Sequence, residues 1–347
     1  MTTPQPDPAP PLILVTGGSG CVGTQVCLRA KELGLSVQGL VRSTSETTAL
    51  VHHGIPVEVA DLSDLDSLNR VVAGVTTVVH CAARIGAGPS EEYRRLHVHG
   101  LRNLLHALDQ AGTVTRFILL SSLSVHAARD HFGTDETTSP TVQGLGACLA
   151  SLVEAENQLH EWSAREGVPV TVLRPGLLYG PGERWVLPQL LKRLKEQRFR
   201  YIGSGEQQLS NTYVGNLADA VFAAIATPAA YGQTYHITDL PLVTQRDFIS
   251  TLCELAGYPV PRAALPLFWA QLSKWFPRWF RPNDEHDETA IELRLLGWNR
   301  GFSIEKARRE LNYTPRVAFA DGMRTTIDWY RAQGALNPTG NQKIGGS

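Results

Sequence analysis

Charge is scarce in this chain, and neither sign dominates. Charged side chains fill 19% of the 347 positions, and 32 basic residues face 33 acidic ones. Without a basic surplus, neither nucleic acid nor an anionic membrane is an expected partner. Cysteine is sparse and badly spaced for cross-links. Cys21, Cys27, Cys81, Cys148 and Cys253 form no CxxC pair and no Cys/His cluster. No disulfide framework and no metal site is therefore expected, and a reducing cytoplasmic compartment is the simplest reading. Long apolar runs are missing too, since none reaches the ~18 residues that a spanning helix needs. Residues 1–11 carry five prolines and no basic segment followed by an apolar run, so they read as a disordered lead-in rather than a signal peptide. Residues 334–347, rich in Gly, Asn, Pro and Thr, read as a flexible tail. Two local absences matter more. No tyrosine stands between Tyr93 and Tyr179, and no lysine between Lys31 and Lys192.

What is present alternates regularly. The apolar run 12–15, bounded by Pro11 and Thr16-Gly17-Gly18, predicts a buried parallel strand. Further strands are expected at 36–41, 57–59, 77–80, 117–120 and 169–173. Helices are expected at 21–33 (ended by Gly34), 64–72 (with Ser63 as cap), 90–111 and 147–165. Parallel strands need helical crossovers, so this rhythm predicts an α/β, doubly wound parallel Rossmann-type sheet, mainly over 12–180. Beyond residue 180 the rhythm loosens, with helices expected at 187–196 and 216–226 and a strand at 233–237. The span 181–333 reads mainly as a smaller substrate-binding region. Within it, residues 265–280 hold Phe268, Trp269, Trp275, Phe276, Trp279 and Phe280, with apolar positions at helical spacing. That spacing predicts an aromatic lid over about 257–300, with ordinary core packing or an oligomer contact as the alternative.

The turn Thr16-Gly17-Gly18-Ser19-Gly20-Cys21-Val22-Gly23 follows the first strand and opens a helix. Gly17, Gly20 and Gly23 allow a tight turn and close backbone approach. The helix start at Cys21 and Val22 offers free N–H groups to a pyrophosphate. An acidic residue ending the second strand would hold the ribose of NAD, but here Arg42 and Ser43 stand there. Together with Ser19, they favour the 2′-phosphate of NADP(H), with NAD(H) as the alternative. The bland alternative is a solvated Arg42, or one stacked on adenine. Asp61 and Leu62 should lie near the adenine, and Cys81, Ala82 and Ala83 should pass under the dinucleotide.

Together these motifs resemble the extended short-chain dehydrogenase/reductase superfamily over about residues 12–331. Leu119-Leu120-Ser121-Ser122 is similar to its strand-five motif, and Arg174-Pro175-Gly176-Leu177-Leu178-Tyr179-Gly180-Pro181-Gly182 to its strand-six signature. The segments 302–307 and 311–315 resemble the C-terminal part of its epimerase and 3β-hydroxysteroid dehydrogenase branches. The resemblance implies cofactor contacts at Leu120, Ser121, Pro175, Gly176 and Leu177, and a catalytic serine at Ser122. It also implies a tyrosine and a lysine four apart on one helix. There the tyrosine protonates the carbonyl oxygen, while the lysine lowers its pKa and holds the nicotinamide ribose. In that register the tyrosine position is Cys148 and the lysine position is Leu152. The gaps in tyrosine and lysine usage leave no other register. His97 stands where a structural asparagine is usual.

Three readings follow. The first is a reductase working without the pair. The second is an NADP(H)-binding pseudoenzyme that acts as a sensor or regulator of a partner protein. The third is an enzyme with replacement acids, drawn from Cys148, Ser151, His126, His97, Tyr179 and Tyr213, each of which also has an ordinary structural reading. An epimerase or dehydratase is weaker, because oxidising a hydroxyl demands a strong base. A reductase without the tyrosine still needs the developing alkoxide stabilised. A phenol beside the ketone, as in polycyclic aromatic polyketides, would supply that hydrogen bond. This narrows the resemblance to the atypical angucyclinone ketoreductases of actinomycete antibiotic pathways, and implies NAD(P)H-dependent reduction of a ketone to a secondary alcohol. Substrate contacts are then expected at Ser122, His126, Cys148, Tyr179, Tyr213 and Trp269. A homodimer is compatible with the superfamily.

Overall fold

The structure, a computed structural model, describes residues 11–84, 86, 88–141, 145–266 and 296–336. Trp269 and most of the expected lid lie outside the described residues, as do residues 1–10 and everything after 336. Seven strands make one sheet. The first five are β1 (Leu12–Thr16), β2 (Ser36–Val41), β3 (Val57–Val59), β4 (Val75–His80) and β5 (Arg116–Leu120). Strands Val170–Pro175 and Gln233–Ile237 complete it. In space the order runs Gln233–Ile237, Val170–Pro175, β5, β4, β1, β2, β3, and every neighbouring pair is parallel.

The strands are apolar runs because helices cover both faces of the sheet. On one face α1 (Cys21–Glu32) and helix Val214–Ala226 bring Val26, Ala30 and Val221 against Val15 and Ile118. On the other, helices Leu65–Val71, Leu101–Ala111 and Ala147–Glu166 bring Leu68, Leu104, Leu159 and Trp162 against Leu14, Val78 and Phe117. This is the doubly wound α/β fold expected from the alternation. A third core, around Leu190, Tyr201, Phe248 and Met323, lies under the later part of the chain. No helix among the described residues is long and apolar enough to cross a membrane.

Two expectations need correction. Asp64, not Ser63, caps helix Leu65–Val71, its carboxylate accepting the Ser67 N–H at 3.2 Å. Ser63 turns back and donates to Asp61 Oδ1 at 2.6 Å. The single helix expected over 90–111 is interrupted. It runs as Ser90–Arg94, a π-helical turn Arg95–Gly100 and Leu101–Ala111. Such a turn changes which residues face inward, and here it carries the buried His97. The sheet also draws its seventh strand from beyond residue 180, so the two halves of the chain share one sheet.

Candidate active site

The strand order reverses between β1 and β4, which opens a crevice at the carboxyl ends of the sheet. Across it Thr16 Oγ1 accepts the Ala82 N–H at 3.3 Å and pairs with His80 Nδ1 at 2.8 Å. Burial holds His80 at a pKa of about 3, so it stays neutral. The turn that follows β1 has no room for a side chain at Gly17 or Gly23. A Cβ on Gly17, at φ +65°, would lie 2.9 Å from the Ala82 backbone, and one on Gly23 would lie 2.1 Å from the Gly17 carbonyl oxygen. Gly20 caps α1 without a side-chain acceptor, and no acidic residue occupies the first turn. The N–H groups at Cys21 and Val22 stand at the crevice end of α1, with no carboxylate from the helix's own first turn beside them. That cradle fits a pyrophosphate.

Arg42 and Ser43 are exposed just after β2, with the Arg42 N–H donating to Ser45 Oγ at 3.1 Å. Asp61 follows the neighbouring β3. Hydrogen bonds from Ser63, and then the charge of Arg42, hold its carboxyl below the ordinary value. Leu62 is buried, and its carbonyl accepts Asn103 Nδ2 at 2.8 Å. Cys81 and Ala82 are half-buried beneath the glycine turn, and Ala83 is exposed. At the far side of the crevice, Leu120 ends β5. The buried Ser121 donates to Glu156, which is paired with Arg174 at 2.6 Å. Pro175 ends its strand, and Gly176 donates to Thr212 Oγ1 at 2.9 Å. Leu177 is half-buried.

Helix Ala147–Glu166 carries Cys148 and Leu152, the positions at which the resemblance expects the tyrosine and the lysine. Leu152 is 6% exposed and packs with Val125 and Val153, so nothing cationic stands there. The Cys148 thiol donates to the Arg84 carbonyl at 3.4 Å, and burial pushes its pKa up to about 11. It is a neutral thiol at neutral pH. His97 Nε2 accepts the Arg84 N–H at 2.9 Å, which leaves the ring proton on Nδ1. Nδ1–H then donates to Ser151 Oγ at 2.7 Å, and the Ser151 hydroxyl donates to the Cys148 carbonyl at 2.7 Å. Burial holds His97 at about 4, in keeping with this neutral tautomer. His97 and Ser151 are therefore a brace between the π-turn, the loop after β4 and the helix. Ser122 Oγ accepts the Ser124 N–H at 3.1 Å, and its own O–H has no partner among the described residues.

Three of the expected substrate contacts lie in the interior. Tyr179 is 0% exposed and donates to Asp239 Oδ2 at 2.8 Å, within a carboxylate hub that also takes Asn211, Asn216 and the Tyr213 N–H. His126 is 1% exposed and sits among His131, His236 and Phe302. Burial, then the neighbouring His236, hold it at about 2. Tyr213 is also buried, with its ring 5.5 Å from that of Tyr179. Two residues escaped the sequence reading. Tyr93 donates to the Gly86 carbonyl, and burial and the adjacent Cys148 raise its phenol pKa. Trp185 lies against Gly86 with 51% of its surface exposed. Its signal was an aromatic just after Gly180-Pro181-Gly182-Glu183, where no apolar periodicity asks for one.

Residues 13–238 match the NAD dependent epimerase/dehydratase family. The chain belongs to this family. Among its curated relatives, a 2-alkyl-3-oxoalkanoate reductase of Stenotrophomonas maltophilia is 29% identical over 90% of this chain and 97% of its own. A 3-beta-hydroxysteroid dehydrogenase of Mycolicibacterium neoaurum is 29% identical over 92% and 91%. A 4-hydroxy-2-methyl-3-oxo-4-farnesyl-3,4-dihydroquinoline-1-oxide ketoreductase of Stigmatella aurantiaca is 28% identical over 89% and 93%. The fold recurs in gox2253, with a TM-score of 0.79 and 27% identity over 94% of this chain and 99% of that one. It recurs as well in the UDP-glucuronic acid 4-epimerase of Bacillus cereus solved with NAD, with a TM-score of 0.72 and 21% identity over 93% and 99%. Membership accounts for the glycine turn and the switch-point crevice. It does not account for Cys148 and Leu152.

Proposed function

We propose that this family member is an oxidoreductase, an NAD(P)H-dependent ketoreductase. It reduces a ketone of a polycyclic aromatic polyketide of the angucyclinone type to a secondary alcohol, in the making of an antibiotic. The resemblance on which this rests reaches the simocyclinone ketoreductase. The observation that carries the reading is the helix face with a neutral thiol at Cys148 and a buried Leu152, beside an intact dinucleotide cradle. Relatives described as reductases support the reaction class.

A bound reduced dinucleotide supplies the hydride. The Gly17–Gly23 turn holds the pyrophosphate, and Arg42 and Ser43 take the 2′-phosphate, so NADPH is preferred over NADH. Pro175 and the following backbone orient the nicotinamide. The crevice supplies proximity and orientation. The Ser122 hydroxyl has a free hydrogen to offer the ketone oxygen, and a phenol on the substrate itself stabilises the forming alkoxide. No side chain is required to give up a proton during the transfer, because the alkoxide takes its proton from the neighbouring phenol, which solvent reprotonates.

The test mixes the purified protein with NADPH, or NADH, and a peri-hydroxylated angucyclinone ketone, and follows cofactor absorbance and product mass. A product gaining two hydrogens with stoichiometric cofactor loss is expected. Cofactor binding without oxidation across several such ketones moves the reading to a dinucleotide-dependent regulator.

A further inference from the structure

Trp185 combines a fixed backbone with a free ring. The buried Glu183 carboxylate accepts the N–H groups of Trp185, Val186 and Leu187 at 2.7, 2.9 and 2.8 Å. The Glu183 carbonyl accepts the Tyr330 hydroxyl. One step earlier the Pro181 carbonyl accepts the Cys21 thiol at 3.4 Å, and a Cβ on Gly182 would lie 3.2 Å from Cys21 Cα. The loop is thus pinned to the start of α1, at the pyrophosphate end of the crevice. From there the indole reaches across to the loop after β4. A Cβ on Gly86 would lie 2.9 Å from its six-membered ring, so the glycine, at φ +90°, makes room for it. Gly86 in turn accepts the hydroxyl of Tyr93, which stands beside Cys148. The ring thus lies against the loop after β4, on the segment that Tyr93 ties to the neighbourhood of Cys148. Half of its surface is left uncovered.

A half-uncovered indole on a fixed backbone presents a flat apolar face to a ligand. We infer that Trp185 is the stacking platform for the substrate, and that it selects flat, fused aromatic ketones over small aliphatic ones. This rests on the ketoreductase reading above and names the residue that reads the ring system. Such a platform also suits a reaction with no protein acid. It fixes the ring plane, and with it the plane shared by ketone and phenol.

The experiment titrates a peri-hydroxylated angucyclinone ketone into the NADP⁺-loaded protein by calorimetry, for wild type, Trp185→Phe and Trp185→Ala. Turnover with NADPH is measured separately on the same ketone and on cyclohexanone. Trp185→Ala should bind the polycyclic ketone roughly tenfold more weakly, and Trp185→Phe within about threefold of wild type. Dinucleotide affinity should be unchanged, and cyclohexanone, which carries neither a fused ring system nor a phenol, should be turned over by none of the proteins. Equal binding by wild type and Trp185→Ala overturns the inference, even if reduction proceeds and the ketoreductase reading stands. So does a wild type that does not bind the polycyclic ketone, or a matching loss of dinucleotide affinity in Trp185→Ala. Trp185-dependent binding without any reduction leaves the platform in place and removes the ketoreductase reading instead.

Discussion

At Gly23 a methyl group would collide with the Gly17 carbonyl oxygen, 2.1 Å away, and backbone cannot swing aside as a flexible side chain can. Gly23→Ala should therefore lose the thermal stabilisation that added NADP⁺ gives the wild type, a readout independent of substrate. Arg42→Ala should weaken NADPH by about ten- to a hundredfold, the scale of one or two hydrogen bonds to a charged group, and leave NADH nearly unchanged. Equal losses for both cofactors would make Arg42 an adenine-stacking residue. Ser122→Ala should slow turnover by less than about tenfold. A loss beyond about a thousandfold would place the acid on the protein after all. At this scale the lack of any tyrosine or lysine in helix Ala147–Glu166 was legible, because a missing residue type is a count and needs no geometry. Tyr179 was not. Its fate depends on Asp239, sixty positions away, and a carboxylate taking donors from several elements is invisible to local pattern. Tyr93 was read only as the edge of a gap, because its neighbourhood to Cys148 exists in three dimensions alone.

Helix Ala147–Glu166 is read on both sides of the sheet's edge. Toward the loop after β4 it joins the brace of Ser151, His97 and Arg84. His97→Leu strands the Arg84 N–H and removes the donor to Ser151 Oγ, and should cost about 1–3 kcal/mol in urea unfolding, whereas His97→Asn should recover part of it. Toward the sheet, Glu156 pairs with Arg174, both side chains being almost wholly buried. Glu156→Ala leaves that guanidinium buried alone. A loss of about 3–5 kcal/mol is expected, enough to unfold a marginal variant at 37 °C on the order-of-magnitude scale for a broken buried pair. Elements whose periodicity is set by packing on the sheet were legible. The π-turn was not, because its apolar residues keep a near-helical spacing while the hydrogen bonds slip by one residue. The cap at Asp64 was missed for a related reason. Ser63 and Asp64 are both good caps, and only the turn that sends Ser63 to Asp61 decides between them.

Over the whole molecule, several histidines are held neutral by burial, at about 3 for His80, 4 for His97 and 3 for His236. Unfolded, each would titrate near 6.5. Below that value the unfolded chain binds protons that the folded one refuses, so stability is complete above about pH 6.5 and is lost as pH falls toward 4 and below. The midpoint temperature should fall steeply between pH 6.5 and 4, and a flat profile there would mean these rings are protonated in the folded state. The double winding was legible as a whole, because alternating apolar runs and helices admit few topologies. Where the sheet ends was less so, since its last strand arrives from the half of the chain that reads as substrate region. That strand, Gln233–Ile237, sets a limit on modular engineering. Residues 181–232 are threaded between the sixth and seventh strands, so the later part of the chain cannot be exchanged as a single terminal cassette. A truncation near residue 180 would leave an open sheet edge beside Val170–Pro175 and should aggregate. The workable junctions are two, one on either side of the inserted stretch, with helix Val214–Ala226 and the closing strand kept from the same parent as α1.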